Sequence, residues 1–429
     1  MQKILFSFLV VSLFQGATVA RSGEPRKDGG AGPIAIGPDD WPWWRGPNRN
    51  GVADSKQKPP LKWSETENVL WKTPVPGRGH GSPIVVGDQI FLATANAKDE
   101  TQSVLCYHRK TGVLLWETEV HRGPFAKGGN GKSSLASGTM ACDGQRVFVN
   151  FLHNNAIYAT ALSRDGKQLW QTKVTDYILH QGFASSPTVY QSLVIVGADN
   201  KGTGVLAGLD RATGKIVWKE GRPKMPNYAS PIILKVAGRE QLFFIGCELV
   251  TSLDPLTGKK NWEMKGSTTE CVTSTVTDGK LIITSGGFPK NHVAAVHADG
   301  SGKTAWEIKT KVYVPSMIEH RNHLFAVQDG GVATCWKFDT GVEVWKGRLG
   351  GDFSASPILV GDNLFATNEA GRTFIFKANP NAFELIAENQ LGNSVLATPT
   401  ICGGRIYMRI AVNEKGQRQE MLYCLGARD

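Results

Sequence analysis

Residues 205–220 read VLAGLDRATGKIVWKE: an apolar run ending at Asp210, a turn closed by Thr213 and Gly214, and a second run carrying Trp218. Glycine supplies the positive φ that a tight hairpin turn needs, so the stretch predicts two antiparallel strands. The same spacing of glycine to tryptophan recurs at Gly112/Trp116, Gly166/Trp170, Gly214/Trp218, Gly258/Trp262, Gly302/Trp306 and Gly341/Trp345. Of the tryptophans after residue 72, Trp336 alone falls outside this rule. Successive members lie 54, 48, 44, 44 and 39 residues apart, the period of propeller blades with variable loops.

Each unit opens with a pair of small residues and a short strand. The pairs are Ser82-Pro83, Ser137-Gly138, Ser186-Pro187, Ser230-Pro231, Ser274-Thr275, Pro315-Ser316, Ser356-Pro357 and Thr398-Pro399. A β-rich run follows each, as in QIFLAT, LVIVGA or RIYMRI. Eight starts, with four short strands per unit, predict an all-β eight-bladed propeller. The seventh unit has no tryptophan and puts Leu385 or Phe383 where the ring would pack, and the eighth stops before an outer strand. Trp71, in NVLWKTPV ahead of the first start, supplies the missing strand, so the N-terminal strand is expected to close the last blade and leave no open end.

Composition agrees with a turn-rich β protein: 49 Gly and 12 Trp in 429 residues, without the period of collagen. The formal charge of +10 comes without blocks of Lys and Arg or interleaved aromatics, which argues against nucleic-acid binding. Residues 1–20 combine Lys3, an apolar stretch from Ile4 to Phe14 and small residues at Thr18 and Ala20, the pattern of an export signal cleaved after Ala20. The apolar stretch is too short to span a bilayer, and no second one exists in the sequence. The first cysteine is Cys106, so no lipid-anchor site follows the expected cleavage. The chain is expected to be exported, periplasmic or extracellular, and monomeric, with a flexible Gly/Pro-rich segment at 21–40 and the propeller over 41–429.

Repeats of the form L-D-x-x-T-G-x-x-x-W, best seen at Leu209-Asp210 to Trp218 and Leu253-Asp254 to Trp262, resemble the tryptophan-docking repeats of the pyrroloquinoline quinone (PQQ)-like propellers, the quinoprotein alcohol dehydrogenase-like superfamily. The resemblance covers about residues 63 to 429, and DWPWWRGPNRNGV at 40–52 resembles a signature preceding the propeller in secreted bacterial members. His108 and Lys337 occupy the Asp position in two repeats. The superfamily implies two classes of function: quinone-dependent dehydrogenases, which hold PQQ over an axial Trp with Ca²⁺ bound by Glu, Asn and Asp, and BamB-like scaffolds without cofactor.

The seven cysteines include no adjacent pair and no C-x-x-C-H haem site, and they read as buried structural thiols. Residues 126–133, AKGGNGKS, fit a permissive phosphate-loop pattern, but the residues that follow read as strand where a phosphate site needs a helix. The loop 121–134 is expected to be long and mobile. His320 and His323 flank a tight turn and offer too few ligands for a metal.

The more informative positions stand just ahead of the inner strands, where successive repeats must converge on one mouth of the channel. Arg78, His80, Lys132, His180, Gln181, Asn227, Glu270 and Asp352 are the candidate binding residues there, with Tyr228, Tyr313 and Asn393 in the same ring. Arg78, His80 and Lys132 would serve an anion, and Glu270 and Asp352 would serve Ca²⁺. Trp71, Trp116, Trp170, Trp218, Trp262, Trp306 and Trp345 are the expected docking residues. The leading expectation is a non-catalytic interaction scaffold of the cell envelope, with envelope proteins or a small polar ligand as partners and no resident cofactor. The alternatives are a PQQ/Ca²⁺-dependent dehydrogenase of alcohols or sugars, and a carbohydrate- or peptide-binding propeller.

Overall fold

The computed structural model describes residues 30–427, and the leader expected at 1–20 lies outside the described residues. Among the described residues there is no helix, and the strands form eight antiparallel sheets arranged as an eight-bladed propeller. Blade 1 is built from Ile84–Val86, Gln89–Asn96, Thr101–His108 and Leu114–Arg122, running from the axis outward. Blades 2, 3, 4 and 6 repeat this order over 141–176, 188–221, 232–265 and 318–348. Blade 8 places Val69–Val75 against Gln417–Leu425, so Trp71 lies in the closing strand as the sequence implies.

Two blades depart from four strands. Blade 5 has three, and a single bridge between Thr277 and Ile282 stands for its inner strand. There the Thr277 hydroxyl donates to the Leu281 carbonyl at 2.6 Å and Asp278 Oδ1 accepts from the amides of Lys280 and Leu281, so side chains take over from the backbone ladder. Blade 7 gains a fifth strand, because Val52–Ala53 pairs in parallel with its inner strand Ile358–Val360.

The repeated glycine and tryptophan act across blades. Each outermost strand carries its tryptophan to the turn of the next blade: Trp71 covers Gly112, Trp116 covers Gly166, Trp170 covers Gly214, Trp218 covers Gly258 and Trp306 covers Gly341. These glycines have positive φ, and a Cβ on Gly112 or Gly258 would lie 2.4 Å from an indole carbon, so both the turn and the packing demand glycine. The indole N–H of Trp71, Trp116, Trp170, Trp306 and Trp345 donates to a carbonyl of the next blade, for example Trp170 to Arg211 O at 3.0 Å. The sixth pair is shifted: Trp262 meets Gly300, where an added Cβ would lie 3.2 Å from its Cδ1, while Gly302 has open space around it. Four of the six repeat tryptophans are buried, and Trp116 and Trp262 are half-buried.

In blade 7 the sequence reading needs correction. Ala387 pairs with Ile375 as Trp345 pairs with Cys335 in blade 6, so Ala387, and neither Leu385 nor Phe383, stands at the tryptophan position. Phe383 instead receives Trp345 from blade 6, with ring centroids 5.5 Å apart. Trp63 is buried in the cluster against which Ala387 packs, its amide held by Asn389 Oδ1 at 2.9 Å. A tryptophan from the N-terminal segment thus serves the blade that lacks its own.

Cys106 and Cys335 pair with Trp116 and Trp345 at the position held by Gly208 and Ser252 in blades 3 and 4, and all seven cysteines are free and buried. No helix follows residues 126–133, and the chain proceeds to the strand Ala141–Cys142.

Candidate functional site: a closed funnel on the propeller axis

The contacts of the inner strands order the axis into three levels. Lowest lies the segment Trp41 to Ala53, which runs across one end of the channel. Trp41 bridges to Val85 of blade 1, Pro42 O accepts from Cys142 of blade 2, and Arg49 donates to Val189 O of blade 3. Arg45 donates to Pro357 O, Met317 O and Asn50 O, joining blades 6 and 7. Its guanidinium is fully buried, and desolvation pulls its pKa down to about 9. Arg49 stacks over Trp43, 4.3 Å from the ring centroid, and burial lowers its pKa to about 10. The preceding residues are also held, since Arg211 and Arg146 donate to the carbonyls of Gly32 and Ala31 while paired with buried Asp143. This segment is a plug.

The middle level is a girdle of eight hydroxyl residues: Ser82, Thr139, Ser186, Ser230, Ser274, Ser316, Ser356 and Thr398. At six junctions the backbone N–H of one member donates to the hydroxyl of the next, at 2.9 to 3.0 Å. These are the small-residue starts of the sequence pattern, with one shift: in blade 2 the member is Thr139 rather than Ser137. Ser274 Oγ is met by Trp44 Nε1 from the plug at 2.7 Å, and Ser82 Oγ is buried without a protein partner.

Above the girdle a cavity of about 520 Å³ opens, with Trp44 at its floor. His80, Lys132, Gln181 and Glu270 line it, together with Tyr228, Tyr313, Phe183 and Phe288. Glu270 is buried and its carboxylate is occupied: the Tyr313 hydroxyl donates to Oε2 at 2.9 Å, and His180 Nδ1 lies 3.4 Å from Oε1. His180 Nδ1 also meets the Tyr228 hydroxyl at 3.0 Å. Burial, and then Glu270, push the phenols of Tyr228 and Tyr313 well above the ordinary range. Both are therefore neutral hydroxyls at neutral pH.

The cationic character expected of the mouth is not free. Burial, reinforced by Arg78, Arg409 and Arg418, lowers the His80 pKa to about 3, so the imidazole is uncharged. Lys132 reaches across the mouth to Glu369, with Nζ 2.8 Å from Oε2 and 3.0 Å from Oε1. Arg78 stands outside the lining, bridged through its backbone to Ala95, with its guanidinium toward Gly131 O.

Nor do the remaining candidate residues, with Glu270 and Asp352 the two expected for Ca²⁺, assemble a metal site. Asn227 turns into the blade wall, donating to Asp199 and Ile245 O and accepting from Cys271 N. Asp352 is exposed and outside the lining, its carbonyl accepting from Glu369 N. Among the described residues no group of three or more His, Cys, Asp or Glu could hold a metal. A single carboxylate already shared by His180 and Tyr313 does not fit a Ca²⁺-quinone pair. His320 Nε2 lies 3.6 Å from Asp362, beyond hydrogen-bond distance, and His323 Nδ1 meets Arg321 O at 2.8 Å.

Three functional features were not assigned from sequence. Trp44 had its signal in the tryptophan cluster of the N-terminal signature. The girdle was visible as a recurrent Ser or Thr, read for its size alone. The apolar wall residues Phe183 and Phe288 carry no periodic signal.

An eight-bladed propeller closed by a terminal strand and docked by tryptophans defines the PQQ-like class. The chain belongs to the family described as outer membrane protein assembly factor BamB, whose profile matches residues 61–176, 100–285 and 289–379. It is 25% identical over 347 residues to the BamB of Burkholderia pseudomallei, covering 77% of this chain and 81% of that protein. It is 25% identical over 215 residues to a polyvinylalcohol dehydrogenase of a Pseudomonas species, covering 46% of this chain. The match spans 31% of the length of that dehydrogenase. Among solved structures, a europium-containing methanol dehydrogenase superimposes with a TM-score of 0.63 at 12% identity, covering 91% of this chain and 98% of the other. That likeness is one of fold.

Proposed function

We propose that the protein is a non-catalytic interaction scaffold of the cell envelope. The observation that carries this reading is the rim of the propeller. The residue before each docking tryptophan points outward from an outermost strand, and it is apolar and exposed in blades 1, 2, 3 and 6: Leu115, Leu169, Val217 and Val344. Outermost strands with free backbone groups and apolar outward residues suit the addition of an extended segment from a partner protein. The match to BamB over 77% of this chain and 81% of that protein, and the poor donor set for Ca²⁺, support the same reading.

The test is photocrosslinking in intact cells from positions 169 and 217. Specific envelope crosslinks from position 169 that disappear with Val217→Asp, and from position 217 that disappear with Leu169→Asp, support the scaffold. The quinone alternative rests on Trp44 beneath the cavity and Glu270 beside it. Purified protein that gains a bound chromophore with PQQ and Ca²⁺, and then reduces a dye with alcohols or sugars, would overturn the non-catalytic assignment.

A further inference from the structure

The funnel has a chemistry of its own, independent of the rim. Its girdle hydroxyls each accept one backbone N–H at six junctions, which leaves each such group an O–H to donate and a further lone pair. Six of the eight girdle residues, Ser82, Thr139, Ser186, Ser230, Ser356 and Thr398, line the cavity, which therefore presents an arc of groups that both give and take hydrogen bonds. Ser82 Oγ and His80 Nε2, both on the lining, are buried polar atoms without protein partners. Ser82 is only 5% exposed, so its hydroxyl is buried beside the cavity unpaid by any protein bond.

Most of the charged groups around this ring are already engaged with an opposite charge. Lys132 is paired with Glu369, and Arg409 and Arg418 are paired with Glu420. His180 sits against Glu270, whereas Asp329 accepts from the amides of Tyr313 and Val314 and Lys311, on the lining, forms no salt bridge among the described residues. An anion entering the funnel would find Lys132 already held by Glu369 and only Lys311 open to it, and a cation would have to displace Tyr313 or His180 from Glu270. Apolar faces complete the site: Trp44 below, Phe183 and Tyr228 in the wall, and Phe288, 52% exposed, at the rim. The volume lies within the range of small-molecule pockets, about 300–1,000 Å³.

A ligand suited to this surface is uncharged, carries alternating donors and acceptors, and has C–H faces to lay on aromatic rings. We propose that the funnel binds a neutral saccharide, with Trp44 as its platform and the Ser/Thr girdle and the Tyr228 hydroxyl as its hydrogen-bonding partners. A smaller cavity of about 210 Å³ shares Asn130, Gln181 and Phe183 with the funnel and includes Asn150, whose Oδ1 is buried and unpartnered. It gives the site a polar side chamber for a substituent of the sugar.

The experiment is ligand-observed NMR on the folded propeller with cellobiose, maltotriose and chitobiose. Inorganic phosphate, a neutral tripeptide, and PQQ with Ca²⁺ are the competing probes. Saturable binding of at least one saccharide is expected, weakened roughly tenfold by Tyr228→Phe through loss of one hydroxyl. Trp44→Leu should weaken it further. Tyr228→Phe removes a single oxygen and carries the test alone if Trp44→Leu unfolds the plug. No saturable signal from any saccharide, tighter binding of phosphate, peptide or PQQ, or saccharide binding unchanged in a folded Tyr228→Phe variant would each overturn the proposal. None of these results bears on the crosslinks from the rim, so the two readings fail separately.

Discussion

The indole Nε1 of Trp44 donates to Ser274 Oγ at 2.7 Å, which ties the plug to the girdle. At six other junctions the equivalent hydroxyl accepts a backbone N–H from the preceding blade. At blade 5, whose inner strand is reduced to one bridge, a side chain from the N-terminal segment does so instead. The weakest inner strand is thus braced by the plug, and the same indole becomes the floor of the funnel.

Docking glycines should be intolerant where an indole covers them. Gly258→Ala places a methyl 2.4 Å from Trp218 at a φ of +69°, whereas Gly302→Ala meets only the strain of its φ of +70°. The first should cost about 1 to 3 kcal/mol more than the second, read as a lower urea midpoint. Equal midpoints would contradict the packing.

Trp218→Ala should cost about 3 to 5 kcal/mol, since it empties a buried site between blades 3 and 4. Trp262→Ala should cost less, because that ring is half-buried and meets Gly300 at a longer distance. Chemical denaturation of the two variants side by side checks the order.

Arg45→Met should destabilise the plug by roughly 2 to 4 kcal/mol, because the carbonyls of Pro357, Met317 and Asn50 lose their donors while the apolar stem remains. The expected signature is faster proteolysis within residues 41–53 at a nearly unchanged far-UV spectrum. Protection equal to that of the parent would remove Arg45 from its assigned role.

Acid should weaken the junction of blades 1 and 2. His121 and His153 stack with centroids 4.4 Å apart, close to Tyr158. Burial, and then His153, lower the His121 pKa from 6.5 to about 4, and burial lowers that of His153. The unfolded chain therefore binds more protons between these values. Stability is full above pH 6.5 and falls as pH drops toward 4, by on the order of 2 to 3 kcal/mol for His121. Urea melts at pH 7.5 and 4.5 should show this loss, and His121→Phe should show less of it.

Breaking a buried ion pair should be costly. Asp199 and Arg222 are both almost fully buried, and Asp199 also receives Asn227 and Cys247. Asp199→Asn leaves the guanidinium without its counter-charge and should cost about 3 to 5 kcal/mol. Double-mutant cycles with Arg222→Met would separate the pair from its surroundings.

The blades were legible because their signal is local. Gly214 and Trp218 lie within one hairpin, and a repeated hairpin announces itself in any single copy. The closure at Trp71 was legible by counting strands. The plug was not, since the bonds of Trp44 and Arg45 to the blades span 230 to 312 residues and no local pattern encodes such partners. The mouth was legible as a set of positions but less so as chemistry. His80 and Lys132 look cationic in sequence, and only their surroundings show that one is neutral and the other paired. Asn227 shares its place in the repeat with Tyr228, yet a rotation of one residue carries it into the wall.

The closing strand also sets a timetable. Val69–Val75 can pair only with Gln417–Leu425, and the plug needs inner strands from blades 1, 2, 3, 6 and 7. A segment synthesised ahead of every blade is therefore among the last to reach its place. Until the final hairpin emerges, Trp63 and Trp71 lack the blade 8 residues of the cluster in which they pack. A circular permutant that joins this segment behind residue 427 would make closure local, and should refold faster and aggregate less at equal final stability.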